Sequence, residues 1–515
     1  MEKKVMLVAF YNYKAAGVRI LERALRDRGF EVVTVFFKAF NSVSPRPAAP
    51  AELELLSGLV QKHRPLLVGL SVMSSMYLET VCQVLHALKK NTAAPVLCGG
   101  AHPTLFPEQL LRQGADFVLR TDGERSICQL AQAIWEGADL QHIPSLCYWK
   151  NEKILCNPIG NICDNLDDYG TPMVECPCAY AIEHGRLKKG DPQLTTPSYE
   201  VFASRGCPFS CSYCCCSNLR RLYRGNGKYL RTRSVGSVIA ELREARQKLK
   251  QLVYIHFYDE IFPNDPAWVQ QFAAQYKREI GLPFTIWSHP LMADSENLRQ
   301  LVEAGLCEVV MGIQSGSEHI RRDIFHRLES QEDILRAARA LKRAEVPWVS
   351  YDFMLQHPFE TMRDLKETYR LVERLEGRFS LQLHGLNFLP GSDIVQMAVD
   401  QGYISKEGME KIMYAPMREQ FGAYWKQGNG CNSWFWYRLI FCLQFPLLRR
   451  WTRRFSKAPH RCEKRLRLCY FIAGLLAKVR ALRKKSGLVL RSLLSRRAAA
   501  GQKIKSGAAF PPAAR

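Results

Sequence analysis

Long apolar runs, acid in the last sixth of the chain and a second set of zinc-type ligands are what this 515-residue sequence lacks. No stretch reaches the roughly 20 consecutive apolar residues that cross a bilayer as a helix, so an ordinary helical span is not expected. Met1-Glu-Lys-Lys runs straight into a strand-like segment, with no small-residue cleavage pattern behind an apolar run. A reducing, cytoplasmic home is the expectation, in which the 18 cysteines stay thiols or bind metal. No Gly-x-Gly-x-x-Gly opens the first helix, which counts against a dinucleotide fingerprint. Residues 431–515 hold 21 Lys and Arg against a single acid, Glu463, so nearly all of the net charge of +23 sits there.

A chain of this length, 47% hydrophobic, has material for two or three folded domains. Lys4–Phe10 is a continuous apolar run of the kind buried on both faces of a parallel sheet. A helix over 17–28, strands over 31–37, 66–72 and 95–98, a helix over 77–90, a strand over 115–119 and a helix over 126–135 follow. This alternation predicts a doubly wound α/β domain with ligands over the carboxyl ends of its strands. A plain flavodoxin-like regulatory domain remains open on these grounds. Residues 147–197 show little periodicity and read as a connection packed against the mouth of a site; Cys156, Cys163, Cys176 and Cys178 within it match no metal template.

Cys207-Pro-Phe-Ser-Cys211-Ser-Tyr213-Cys214 then places three thiols at gaps of four and three. They can hold three corners of a [4Fe-4S] cube, leaving one iron open, or with Cys215 or Cys216 a structural zinc. No further Cys-x-x-Cys or His at zinc-finger spacing follows within the next fifty residues, and adjacent side chains are expected to diverge. From the run before Cys207 to Leu389-Pro-Gly391, six strand-helix units are read, with polar residues and glycines just beyond the strand ends. In a partial (β/α)6 barrel those ends form the active-site rim.

In this setting the chain resembles the radical S-adenosylmethionine (SAM) enzymes that carry an N-terminal cobalamin-binding domain. The resemblance rests on the Cys207, Cys211, Cys214 motif with its aromatic Tyr213, on Asp259-Glu260 and on Gly312-Ile-Gln314-Ser-Gly316. Leu389-Pro-Gly391 and Gly99-Gly100-Ala-His102-Pro-Thr104 complete the set. It implies an α/β protein with a Rossmann-like cobalamin-binding domain (1–145), a linker (146–198), a radical SAM barrel (199–400), a mainly helical basic C-terminal region (401–494) and a disordered tail (495–515). The implied cofactors are a [4Fe-4S] cluster on Cys207, Cys211 and Cys214, SAM and cobalamin. Tyr213, Asp259 or Glu260, Ser288 and Gln314 would meet SAM, with the acidic pair taking the methionyl ammonium. Asn12, Gly17, Ser71, Gly99, Gly100, His102 and Gly123 would meet cobalamin. Many such domains use Asp-x-His-x-x-Gly to set a histidine under cobalt; here Asn12 and Lys14 stand in those places, and a protonated lysine offers cobalt no lone pair. Methylation of an unactivated carbon is the leading expectation, against ring formation or rearrangement without net methyl transfer, or a non-catalytic cobalamin-binding protein. A reductant such as flavodoxin or ferredoxin is implied. Tyr351, Asp352, His357, His384 and Asn387 lie near strand ends and are candidates to face substrate.

In the basic tail the fifteen-residue run Trp434–Leu448 is almost wholly apolar. Further on, Leu468, Ile472, Leu475, Val479 and Leu482 recur at helical spacing among Arg and Lys. An apolar stripe with basic flanks predicts peripheral contact of residues 431–494 with the inner face of an anionic membrane and an apolar or lipid-like substrate. The alternatives are a tail packed on the barrel and, less favoured for want of a groove-reading motif, binding to nucleic acid.

Overall fold

The computed structural model describes residues 2–40, 45–423, 430–457 and 459–506. The run Lys4–Phe10 forms β1, with its last six residues buried, at the centre of a nine-stranded sheet. Around it the chain winds α1 (Ala16–Asp27), β2 (Glu31–Phe37), α2 (Pro50–His63), β3 (Leu67–Ser71), α3 (Leu78–Asn91), β4 (Val96–Gly99), β5 (Phe117–Leu119) and α4 (Glu124–Glu136). These five strands are parallel in the order β5-β4-β3-β1-β2, and their apolar faces pack into two cores, one on each side of the sheet. The helix α2 has no counterpart in the sequence reading.

The segment read as a linker carries structure. β6 (Leu146–Lys150) and β7 (Lys153–Cys156) form an antiparallel hairpin on one sheet edge, and β8 (Ala179–Glu183) and β9 (Arg186–Lys189) form another on the opposite edge. Each strand is short and belongs to a sheet edge, so it lacks the continuous apolar signature of β1. Cys147 and Cys156 face each other across the first hairpin and are disulfide-bonded, which corrects the expectation that every cysteine is a thiol or a metal ligand. Between the hairpin edges, the Asp191 carboxylate accepts from both Arg19 Nη atoms at 2.7 and 2.8 Å, both side chains buried, and ties this segment to α1.

The second sheet is the six-stranded partial barrel: β10 (Ser198–Val201), β11 (Tyr254–Phe257), β12 (Phe284–Ser288), β13 (Leu306–Gln314), β14 (Trp348–Leu355) and β15 (Ser380–Gly385), all parallel and in sequence order. Tyr199, Phe257, Ile286, Met311 and Phe353 point outward into the helical layer and form the main core. Alternation therefore turns Glu200, His256, Trp287, Glu308, Asp352 and Gln382 inward.

The C-terminal region is helical. The apolar run is the helix α5 (Gly430–Cys442), whose Trp436, Tyr437, Leu439 and Ile440 are buried in the barrel core, so this run packs inward instead of lying at a bilayer interface. α6 (Pro446–Ser456) and the long α7 (Pro459–Ser506) follow. α7 passes through 495–506, expected to be disordered; residues 507–515 lie outside the described residues. Among the described residues no helix is long and apolar enough to cross a membrane.

Candidate active site

A cavity of about 340 Å³ opens between the carboxyl ends of the N-terminal sheet and the barrel mouth. Its N-terminal wall includes Gly17, Ser71, Gly99, Gly100 and Gly123; its barrel wall includes Phe202, Ser204, Arg205, Arg233 and Glu260. Five of the seven residues expected to meet cobalamin thus share one surface. Glycines at the strand ends leave this wall without side chains at those points, which suits a bulky ligand; at Gly100 the φ of +112° and a Cβ position 2.6 Å from the Val72 carbonyl oxygen admit only glycine, because the turn packs directly on the end of β3. Asn12 and His102 are not among the lining residues. Asn12 Oδ1 accepts from the Lys14 backbone N–H at 2.8 Å, and buried His102 pairs Nε2 with Gln109 Oε1 at 2.8 Å, so both have local structural partners. Lys14 donates to Ser198 Oγ at 2.7 Å and Glu200 Oε1 at 3.1 Å, bridging the N-terminal domain to the first barrel strand.

On the barrel side the acidic pair divides. Asp259 is buried and accepts from the Ser204 backbone N–H at 2.6 Å and Ser204 Oγ at 2.5 Å; burial pushes its carboxyl up to about 7 against the pull of those bonds. Glu260 faces the cavity, its carboxyl lifted above the usual range chiefly by enclosure, with the Cys214 thiolate adding to it. Glu260 is thus the better placed of the two to accept from a bound ammonium. Ser288 ends β12 and Gln314 ends β13 on the same rim, outside the lining of this cavity; Gln314, at φ +68°, folds its amide back over Gly312.

The cysteine loop leaves the short strand Ser204–Arg205 and enters the helix Cys215–Leu222. Gly206 makes the turn at φ +91°, where a Cβ would stand 2.4 Å from the Tyr229 carbonyl oxygen. The loop is pinned on its far side. Ser212 donates through N to Phe325 O at 3.1 Å and through Oγ to Ile324 O at 2.5 Å, and Phe209 stacks on His289 at 3.8 Å. Burial, with Cys211 and Cys214 close by, pushes the Cys207 thiol up to about 12. Contrary to the expectation that neighbours diverge, the sulfurs of Cys214, Cys215 and Cys216 lie within 4.8 Å of one another, because the helix starts at this point and gathers them. That trio is not the expected set and shares only Cys214 with it; Cys207 and Cys211 lie on the same pinned loop, and thiolates carried on one loop are the soft donors an iron–sulfur centre takes.

Two groups beside the site escaped sequence reasoning. Arg205 forms ion pairs across the domain boundary with Asp122 (3.3 Å) and Glu124, and Arg231 joins Asp122 at 2.8 Å. Burial pushes the Asp122 carboxyl up, but the two guanidinium groups outweigh it and hold it below its ordinary range. Buried Arg327 donates to Glu329 Oε1 (2.6 Å), Gly312 O (2.7 Å) and Tyr213 OH (3.1 Å), fixing the motif's aromatic residue. Nothing local in the sequence couples these partners. Of the substrate candidates, Tyr351 faces the outer core against Phe379, and His384 and Asn387 are exposed. Asp352 points into the barrel with Oδ1 lacking a partner among the described residues, and its carboxyl is pushed up to about 7 by burial and then by Glu308. His357 is buried against Phe325, and burial brings its imidazole down to about 3.

A B12 binding domain is matched over residues 2–131 and the radical SAM superfamily over residues 201–372. The chain is 26% identical to an uncharacterised methyltransferase of Pyrococcus horikoshii over 62% of its own length and 67% of that protein's. It is 22% identical to the anaerobic magnesium-protoporphyrin IX monomethyl ester cyclase of Rubrivivax gelatinosus over 60% of its length, spanning 54% of that protein. In fold it is similar to the radical SAM methyltransferase TsrM of Kitasatospora setae, solved with tryptophan substrate and a SAM analogue. The TM-score is 0.61 at 18% identity, covering 78% of this chain and 76% of that one. It is also similar in fold to OxsB with aqua-cobalamin and SAM bound, at a TM-score of 0.56 and 15% identity, covering 79% of this chain and 56% of that one. With both domains in this order, and with a [4Fe-4S] cluster, SAM and cobalamin as its cofactors, the chain belongs to the cobalamin-dependent radical SAM enzymes.

Proposed function

We propose that this enzyme methylates an unactivated carbon, with Cys207, Cys211 and Cys214 holding the cluster and the glycine-lined wall of the cavity holding cobalamin. When bound, the cluster supplies the electron that cleaves SAM and cobalamin carries the methyl group. The observation that carries the reading is the cavity shared by the apolar, glycine-marked strand ends of one domain and the charged rim of the other. Within it Glu260 accepts from the methionyl ammonium, a charge-assisted contact that orients the ligand. The Lys14 bridge and the Arg205 ion pairs keep the two walls in register. Incubation with methyl-labelled SAM should give product carrying the label; unlabelled product at full turnover removes this reading. Ring formation without methyl transfer is the second reading, favoured by the likeness to the Rubrivivax cyclase.

We further propose that α7 lays the enzyme on an anionic bilayer and that the substrate is apolar or lipid-like. Leu466 and Ala473 of α7 are buried on the barrel, while Leu468, Phe471, Leu475, Val479 and Leu482 are exposed on the opposite face. At 3.6 residues per turn, Arg467, Lys478 and Lys485 run along one edge of that face and Arg465 and Arg483 along the other. An apolar stripe between two basic rows suits interfacial binding to acidic lipid. The protein should sediment with vesicles containing phosphatidylglycerol and not with phosphatidylcholine alone. Leu468→Glu, Leu475→Glu and Leu482→Glu together should abolish this without changing cobalamin loading; retained sedimentation contradicts the proposal.

A further inference from the structure

Beside the cysteine loop, sharing no lining residue with the central cavity, lies an open cleft of about 830 Å³. Cys207 itself lines it, together with Arg220, Arg221, Arg224, Lys228 and Leu230. The charge is one-sided in sequence as well: residues 215–240 contain six Lys and Arg and no acid. Two of the cleft's cations are spoken for, since Arg221 pairs with Asp393 at 2.6 Å and Arg220 donates to the Pro208 carbonyl at 2.9 Å. Arg224 and Lys228 are exposed and have no acidic side chain within ion-pair distance among the described residues. The turn that presents them is held in place. Ile162 N donates to Asn226 O at 2.8 Å, Lys228 N donates to Asp164 Oδ1 at 2.9 Å, and a Cβ on Gly227 (φ +112°) would stand 2.9 Å from Ile162 Cγ1. Exposed Leu230 adds an apolar patch beside the cations.

We propose that this cleft is the docking surface for an acidic one-electron donor, a small flavin or iron–sulfur protein. The inference rests on the cluster reading above and extends it to the partner that feeds the cluster. A fixed cationic surface bordering a cluster cysteine steers an acidic protein by long-range attraction. The interface is small and polar, as transient electron-transfer contacts are, so the donor leaves once it has delivered its electron. The step is balanced: donor hydroquinone gives one electron and becomes semiquinone, and the oxidised cluster gains that electron.

The test compares two reductants of the reconstituted full-length protein by stopped-flow bleaching of the cluster and by the electron paramagnetic resonance signal of its reduced form. One is flavodoxin hydroquinone; the other is photoreduced deazariboflavin, which is small and uncharged. Arg224→Glu with Lys228→Glu should slow the flavodoxin reaction by about tenfold or more at low ionic strength, with the gap closing as salt is raised. Arg224→Gln with Lys228→Gln should fall in between, and the deazariboflavin rate and iron content should be unchanged in both. An unchanged flavodoxin rate overturns the docking surface while leaving the cluster intact; equal slowing with both reductants overturns it too, because the effect then lies in the cluster. Failure of the unsubstituted protein to assemble any cluster would instead remove the reading underneath.

Discussion

The two walls of the central cavity are built on opposite principles. The N-terminal wall is mainly aliphatic side chains and glycine, with Leu7, Ile20, Leu70, Leu97 and Leu119 beside Gly17, Gly99, Gly100 and Gly123, and its acids Asp122 and Glu124 are paired with Arg205. The barrel wall is charge: Arg205, Arg233 and Glu260, with the thiols of the cysteine loop behind them. The first suits a ligand recognised by bulk and contour, the second one recognised by ammonium, carboxylate and metal. Each wall should therefore fail separately, and substitutions can be chosen to show it.

The largest effect is expected from Cys207→Ala, Cys211→Ala and Cys214→Ala together. Iron binding and adenosyl cleavage should be abolished, while cobalamin absorbance of the purified protein persists; surviving cleavage would break the division. Gly100→Val attacks the other wall, since it forces a side chain into a positive φ and onto the Val72 carbonyl. Strain of this kind costs about 1–3 kcal/mol before the clash is counted, so cobalamin affinity should fall on the order of 100-fold with the cluster retained, measured by equilibrium dialysis and iron content. Glu260→Gln keeps shape and removes charge. SAM affinity should weaken about tenfold by calorimetry and cobalamin affinity should not move. The smallest effect is Lys14→Ala, which removes a half-buried ion pair between the walls and should lower stability by about 1 kcal/mol. In the unsubstituted protein, cob(II)alamin should show no nitrogen coupling from a protein imidazole, because Lys14 occupies that slot with its ammonium turned to Glu200.

What the sequence made legible follows from how local each signal is. Lys4–Phe10, Glu31–Phe37 and Trp348–Leu355 occupy the residues expected of them, since continuous apolar strands declare themselves. The cysteine motif and the glycine-marked strand ends were legible for the same reason. The hairpins within 146–198 were not, because short edge strands carry no periodic signal and draw their order from Arg19–Asp191 and from the sheet they join. Composition also could not distinguish Asp259 from Glu260: adjacent in sequence, one is held by Ser204 and the other opens to the cavity. Trp434–Leu448 and the stripe from Leu468 to Leu482 look alike as apolar segments, yet the first is largely buried on the barrel and the second is exposed. Only the partner surface decides between them.

The account depends on the cluster loop standing close to the cavity that would hold cobalamin, and that proximity can be measured. In protein reconstituted with both cofactors and poised so that the cluster is reduced and cobalt is Co(II), each centre carries one unpaired electron. Electron paramagnetic resonance should show the two signals broadened or split by mutual dipolar coupling, and the coupling should vanish in the triple cysteine variant. Two sharp, independent signals at full occupancy of both centres would place them apart and contradict the account.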